Sequence, residues 1–141
     1  MKIMAVDLGD ARTGLAVCDR TETLASPVGV IKEYNIKKTL EKVLAAAQEF
    51  EARMIVIGLP RNMDGSEGIR AAKSREFALN LKMRTELPIE LWDERQSTVL
   101  ASRYLSDANV DSRRQRGIID EAAAAVILQS YLDYRKNSGT A

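Results

Sequence analysis

The chain contains no histidine. That absence excludes Ser-His-Asp and Cys-His catalysis, and any zinc site built on imidazole. A bound metal would have to be held by oxygen ligands, which favours Mg²⁺ or Mn²⁺. There is a single cysteine, Cys18, so no internal disulfide can form, as expected of a reducing compartment. With no histidine to activate it, Cys18 reads as a strand-filling residue rather than a nucleophile. No apolar run approaches the roughly 18 residues that cross a bilayer. The first apolar run is broken at Asp7, too early for a signal peptide. A cytoplasmic protein is the expectation. The chain also lacks internal repeats, linkers and low-complexity stretches. Residues 1–136 therefore read as one domain, and residues 137–141 as a loose tail.

What is present suits a folded domain. The 141 residues are 45% hydrophobic, ordinary for one globular core. Net charge is only +1, which excludes a generally basic nucleic-acid binder. The charge is uneven, however. Residues 61–84 carry six Lys/Arg against three acids, and residues 95–116 carry five Arg against two.

The pattern along the chain predicts strands over 2–8, 14–19 and 28–33, close enough to pair as an antiparallel meander. A helix is expected over 36–50, where Ile36, Leu40, Val43, Leu44 and Ala47 recur at helical spacing. Met54-Ile55-Val56-Ile57-Gly58 has the continuous apolar character of a strand buried on both faces. A helix near 70–87, a strand over 89–94, a helix over 98–108, a polar Arg-rich loop over 109–117 and a last helix over 120–134 complete the series. The order βββαβαβαα implies an α/β fold with a mixed sheet flanked by helices.

Acids stand at element ends. Asp7 closes the first apolar run, Asp93-Glu94 closes the last strand, and Asp120 opens the last helix. An ionised carboxylate at the end of a buried strand costs several kcal/mol unless donors or a cation meet it. If the first and last strands were parallel neighbours, their acids would share the sheet edge where ligands of α/β sheets gather. Such a cluster is tolerable mainly when cations bridge it. Two Mg²⁺ ions about 4 Å apart would serve phosphodiester hydrolysis without histidine. Each acid also has a plainer reading: Asp7 capping a glycine turn, Asp93 and Glu94 pairing with Arg95, Asp120 capping a helix. Because successive strand residues face opposite ways, only one of Asp93 and Glu94 can point at Asp7, and the alternation does not say which.

Two segments could meet phosphate. The loop from Leu59 to Gly68 follows a buried strand, so its amides, Arg61 and Asn62 lie near the ligand edge. Arg113, Arg114 and Arg116 could grip a nucleic-acid backbone. The plainer alternatives are a flexible connection and a solvated surface loop.

Four segments together resemble the YqgF (RuvX) family of pre-16S rRNA nucleases. They are Asp7-Leu8-Gly9-Asp10-Ala11-Arg12-Thr13-Gly14-Leu15-Ala16, Gly58-Leu59-Pro60-Arg61-Asn62-Met63-Asp64-Gly65-Ser66, Asp93-Glu94-Arg95-Gln96-Ser97-Thr98, and Asp120-Glu121-Ala122-Ala123-Ala124-Ala125-Val126-Ile127-Leu128-Gln129. The resemblance covers nearly the whole chain. It implies an RNase H-like, RuvC-related fold, with a five-stranded mixed sheet whose first and fourth strands are neighbours. It further implies Asp7 as the first-strand metal ligand, Glu94 as the fourth-strand acid and Asp120 as the last-helix acid. The related resolvases carry another acid one turn later in that helix, where this chain has Ala123.

The expectation is thus a Mg²⁺- or Mn²⁺-dependent nuclease with two ions, acting on structured RNA at the 5′ end of the small-subunit rRNA precursor. Asp7, Glu94 and Asp120 would hold metal, with Asp93 as the substitute for Glu94, and Arg12, Arg61 and Arg95 would orient phosphate. Rival readings are a resolvase of branched DNA, which would usually be a homodimer rather than a monomer, and an RNA-binding module without catalysis. A fragment of an actin-like ATPase also begins with a strand ending Asp-x-Gly, but the chain is too short for two such lobes.

Overall fold

A computed structural model describes the backbone of residues 1–96 and 112–138, and the side chains of 1–95 and 122–138. Five strands, β1 (Ile3–Asp7), β2 (Arg12–Cys18), β3 (Ala25–Lys32), β4 (Met54–Leu59) and β5 (Ile89–Asp93), form one sheet in the order β3-β2-β1-β4-β5. β1, β2 and β3 pair antiparallel, while β4 runs parallel to both β1 and β5. The mixed sheet and the contact between first and fourth strands are as expected. The first and last strands are not neighbours: β4 lies between them. The crossover α1 carries the chain from the hairpins to the other side of β1, and this places the most apolar strand, β4, inside the sheet between β1 and β5.

Each element has a local cause. α1 (Ile36–Glu49) is capped by Asn35, whose Oδ1 accepts from the amides of Lys37 and Lys38 at 3.0 and 3.1 Å. α2 (Ile69–Lys82) ends earlier than the expected Leu87. The Thr85 hydroxyl accepts from the Leu87 amide, and Pro88 biases the residue before it away from helix. β3 is longer than the expected 28–33 because it runs through Pro27. At a sheet edge the missing N–H is tolerated.

A short 3₁₀ turn, Glu94–Gln96, follows β5. The last helix, α3, spans Ser112–Asn137 rather than 120–134, so Arg113, Arg114 and Arg116 lie on a helix and not in a loop. Arg and Gln are good helix formers, and a single Gly117 is tolerated within so long a helix. Asp120 accordingly stands well inside α3 and does not open it. The helix expected over 98–108 falls outside the described residues. So do the start of the expected Arg-rich loop and residues 139–141. Among the described residues, no helix is long and apolar enough to cross a membrane.

Two cores sandwich the sheet. On one face Met4, Val6, Ile55, Ile57 and Ile89 pack against Leu40 and Val43 of α1 and Phe77 and Leu81 of α2. On the other, Ile3, Ala5, Met54 and Val56 pack against Ala124, Ile127, Leu128 and Tyr131 of α3. The alternation along each strand assigns these faces. Cys18 is buried, with Sγ accepting from the Ile3 amide at 3.2 Å, in keeping with a strand-filling role. Trp92 of β5 meets Tyr131 edge-on at 5.4 Å and donates from Nε1 to the Ser130 hydroxyl at 3.2 Å, which pins α3 across the sheet.

The turn from β1 to β2 is the tightest place in the fold. A Cβ on Gly9 would lie 2.1 Å from the Arg12 carbonyl oxygen, so the turn closes only around glycine. Gly9→Ala is expected to cost about 1–3 kcal/mol, as an overpacked backbone contact does. In a thermal melt this would lower Tm by several degrees, about 3–5 °C per kcal/mol for a domain of this size. An unchanged Tm would mean that the turn relaxes freely.

Candidate active site

Three neighbouring strands end on one edge of the sheet. Val6 pairs with Ile57, and Gly58 pairs with Trp92, so Asp7, Gly58 and Trp92 form a row across β1, β4 and β5. Asp7 follows Ile3 and Ala5 on the α3 face. Along β5, Ile89 and Leu91 face α1 and α2, whereas Trp92 faces α3. Asp93 therefore projects away from Asp7, and Glu94 projects toward it.

The contacts follow that division. Arg95 grips Asp93 with Nη2 at 2.7 Å and Nε at 3.0 Å, and Arg61 Nη1 stands 3.6 Å away. Hydrogen bonds from the Arg95 guanidinium, aided by Arg61, hold the Asp93 carboxyl below its usual range. Asp93 is already neutralised by two arginines. Glu94 instead reaches the Asp7 carboxyl and hydrogen-bonds to it. Burial, first, and then the Glu94 carboxyl push Asp7 up to about 8, opposed by the positive charge of Arg70. A carboxyl so placed resists ionising because its negative charge would stand against a second carboxylate.

Glu94 is not on the fourth strand, the position its family role implied. It lies in the 3₁₀ turn after β5, and it reaches Asp7 over β4 because Gly58 leaves room. A Cβ on Gly58 would lie 2.5 Å from Glu94 Oε1 and 2.8 Å from Ile127 Cδ1. The missing side chain of the fourth strand is thus filled by a carboxylate from the fifth. Gly58 and Arg70 are site residues that the sequence patterns did not single out. Gly58 looked like the ordinary end of an apolar strand, and Arg70 like one cation among several in a basic segment.

Asp120 belongs to α3, one turn before Ala124 and two before Ile127. Its side chain, with those of Arg113, Arg114 and Arg116, lies outside the described residues. Ala123 is half-buried beside the packed stripe. Among the described residues no group of three acids meets; Asp7 and Glu94 are a pair.

The loop after β4 is built rather than slack. Asn62 Nδ2 donates to the Ser66 hydroxyl at 2.9 Å, Ser66 Oγ donates to Asp64 at 2.6 Å, and the Asn62 amide donates to the Ser66 carbonyl at 2.9 Å. Arg75 forks onto Glu67 at 2.6 and 2.7 Å and, with Arg61, pushes that carboxyl down to about 2. Arg61 is shared between Glu67 and Asp93, yet its buried Nε has no acceptor among the described residues. Asn62 is engaged within its own turn. Arg12 starts β2 opposite Lys32, half-buried at the base of the β1–β2 turn.

Comparison with known proteins bears on this geometry. A family model described as "RuvX: Holliday junction resolvase" matches residues 1–134. Among curated relatives, a Halothermothrix orenii protein is 41% identical over 135 residues, covering 96% of each chain. A Ruegeria pomeroyi protein is 44% identical over 96% of this chain and 88% of its own. Both bear the name "Putative pre-16S rRNA nuclease". Among solved structures, Thermus thermophilus RuvC aligns with a TM-score of 0.60 at 14% identity, over 99% of this chain and 98% of that one. The same protein in complex with a Holliday junction aligns at 0.61 and 16%, over 99% and 97%. At such identities these neighbours speak for the fold alone, and that fold is the RNase H-like one expected.

The acid pair carries a pH signature. The folded protein retains on Asp7, up to about pH 8, a proton that the unfolded chain releases near its ordinary 3.8. The native state then binds more protons than the unfolded state, so stability of the metal-free protein should fall as pH rises from about 4 to about 8. Asp7→Asn removes this loss, on the order of a few kcal/mol for so large a shift. Its Tm should exceed that of the wild type at pH 8, and the gap should close near pH 4. Equal melting profiles at both pH values would show that the carboxyls do not oppose each other.

Proposed function

Since the chain belongs to the RuvX family, we propose that it is a divalent-metal-dependent nuclease that hydrolyses phosphodiester bonds in structured RNA, with the precursor of 16S rRNA as its substrate. The reading also places it in the cytoplasm, where that precursor is found. The observation that carries it is the Asp7–Glu94 pair. Two carboxyls are brought together at a sheet edge, and burial and the Glu94 carboxyl push Asp7 up to about 8 against the pull of Arg70. A hard cation is the natural replacement for that proton, and the donor set of carboxylate oxygens without imidazole or thiolate suits Mg²⁺ or Mn²⁺.

Asp7, Glu94 and Asp120 would hold the metal, with Asp93 excluded by its two arginines. The bound ions would supply a water acidic enough to attack phosphorus at neutral pH and charge to stabilise the departing oxygen. The remaining work falls to side chains already described. Gly58 keeps a passage open so that Glu94 meets Asp7. Ile127 and Ala124 close the α3 side and keep the pair poorly solvated, which strengthens its hold on cations. Arg61 and Arg95, at the mouth of the ordered 59–68 loop, can transfer from Asp93 to a phosphate oxygen. Arg12 and Asn62 flank the same edge, and Arg113, Arg114 and Arg116 bring positive charge on the first turns of α3.

A second reading is supported by the family model's own description. The same acids would cut a four-way DNA junction, provided two copies present their sites symmetrically. A monomer with no activity on junctions would remove it. An RNA-binding module without catalysis is removed by any metal-dependent cleavage.

The deciding experiment compares cleavage of a pre-16S rRNA fragment and a four-way DNA junction, with and without Mg²⁺ or Mn²⁺. Chelation should abolish cleavage. Asp7→Asn and Glu94→Gln should each lower the rate at least about 100-fold, the scale of losing a group that stabilises transition-state charge. Asp93→Asn should retain activity within about tenfold, because its carboxylate serves arginines rather than metal. Gly58→Ala should behave like Glu94→Gln while folding normally, since a methyl there displaces the Glu94 carboxyl. Full activity in Asp7→Asn would overturn the proposal.

A further inference from the structure

Beside the acid pair lies a groove of about 320 Å³ that the metal chemistry does not use. Leu8 and Gly9 line it directly after Asp7, and it opens between the β3–α1 connection and α2. Its size is at the lower end of sites that hold a small ligand. It is too small for a duplex. From the rest of its lining we propose that the groove binds one unpaired nucleotide of the substrate strand next to the scissile bond, with the base stacked on Tyr34 and the adjoining phosphate on Arg70 and Lys73. This rests on the nuclease reading and adds to it where single-stranded character is required.

Four observations support the assignment. Tyr34 is 86% exposed and Ile36 beside it 51%, an aromatic and an aliphatic surface left to solvent at the lip of a polar groove. Exposed aromatics beside cations are what single-stranded nucleic acid binds, because every base offers a π-face. The lining adds hydrogen-bonding groups from buried Ser74 and exposed Asn80, and the buried apolar ring of Phe77. Arg70 and Lys73 share the lining with Leu8 and Gly9, which directly follow Asp7 at the end of β1, so a phosphate held by these cations lies toward the edge where the acids stand.

The negative groups on the lining do not defeat this. Asp10 pairs with Lys73 at 3.3 Å, but its side chain is 82% exposed and the contact is screened by water. A phosphate can displace so weak a partner. Glu76 is likewise on the solvent-facing side of α2.

The test uses full-length protein and a hairpin RNA with a single-stranded extension, carrying 2-aminopurine at successive unpaired positions. With divalent ions chelated, wild type should quench the fluorescence at one position and leave the others bright. Tyr34→Ala should lose that quench, and Tyr34→Phe should keep it. With metal present, Tyr34→Ala should raise KM about tenfold or more, the scale of losing one base stack, with kcat little changed. Arg70→Ala should weaken binding of the same RNA and leave a fully paired duplex unaffected. Unaltered quenching in Tyr34→Ala, or equal quenching by a blunt duplex, overturns the groove assignment even if wild type cleaves RNA. Position-specific quenching without any cleavage supports the groove and strikes the nuclease reading instead. Failure to bind any RNA overturns both.

Discussion

The contact between the Asp7 and Glu94 carboxyls is the constraint around which this edge of the molecule is arranged. Two like charges at hydrogen-bond distance, partly buried, are unfavourable by themselves, and here a proton is retained to about pH 8 to make the contact bearable. Nothing in the packing of the cores requires it. The apolar faces of β1 and β4 would be just as well buried if Glu94 turned to water. Several features instead hold the pair together. Gly58 omits the side chain that would fill the space between β1 and β5. Gly9 allows β2 to return within a few residues of Asp7. The 3₁₀ turn at Glu94–Gln96 begins as soon as β5 ends and sets Glu94 against Asp7.

The opposite fate of the adjacent acid follows from the pleat of one strand. Asp93 and Glu94 are sequence neighbours, yet β5 sends the first toward α1 and α2 and the second toward α3. Asp93 meets Arg95 and Arg61 and becomes an ordinary, fully ionised ion-pair partner. Glu94 meets another acid. One residue of strand register thus separates a carboxylate held by arginines from one held against another acid, and a register slip would exchange their surroundings.

How much of this was legible in the sequence varies with the kind of signal. The buried strands β1 and β4 could be read from unbroken apolar runs, and α1 from its spacing and its Asn35 cap. The end of β3 was hidden by Pro27, because the sequence does not announce which strand will lie at an edge. The beginning of α3 was hidden because an Arg- and Gln-rich stretch is equally compatible with a solvated loop and an exposed helical turn. Among the acids, Asp7 was conspicuous as a charge closing an apolar run. The choice between Asp93 and Glu94 was not available, since it depends on which face of β5 meets α3, a tertiary fact. Placing β4 between β1 and β5 removed the simplest way of joining the acids, by direct strand pairing. Gly58 restored the connection by a route that only coordinates reveal: an absent side chain has no pattern until its neighbours are known.

Arg70 shows how the groove and the acid pair belong to one electrostatic design. It lies in the first turn of α2, where the helix dipole disfavours a cation by about 0.3–1 kcal/mol. No acid in that turn offsets the penalty, and the helix has no side-chain N-cap. A residue chosen for helix stability would be acidic there. The positive charge instead acts across the β1–β2 turn on Asp7, drawing its carboxyl back toward the ionised state. Arg70 thereby favours the form of Asp7 that binds a cation, while the free amides at the start of α2 and the guanidinium together favour an anion alongside. The nuclease proposed above, which would hold metal ions and a phosphate at adjoining positions, needs both effects, and the start of α2 can supply them at a small cost in helix stability.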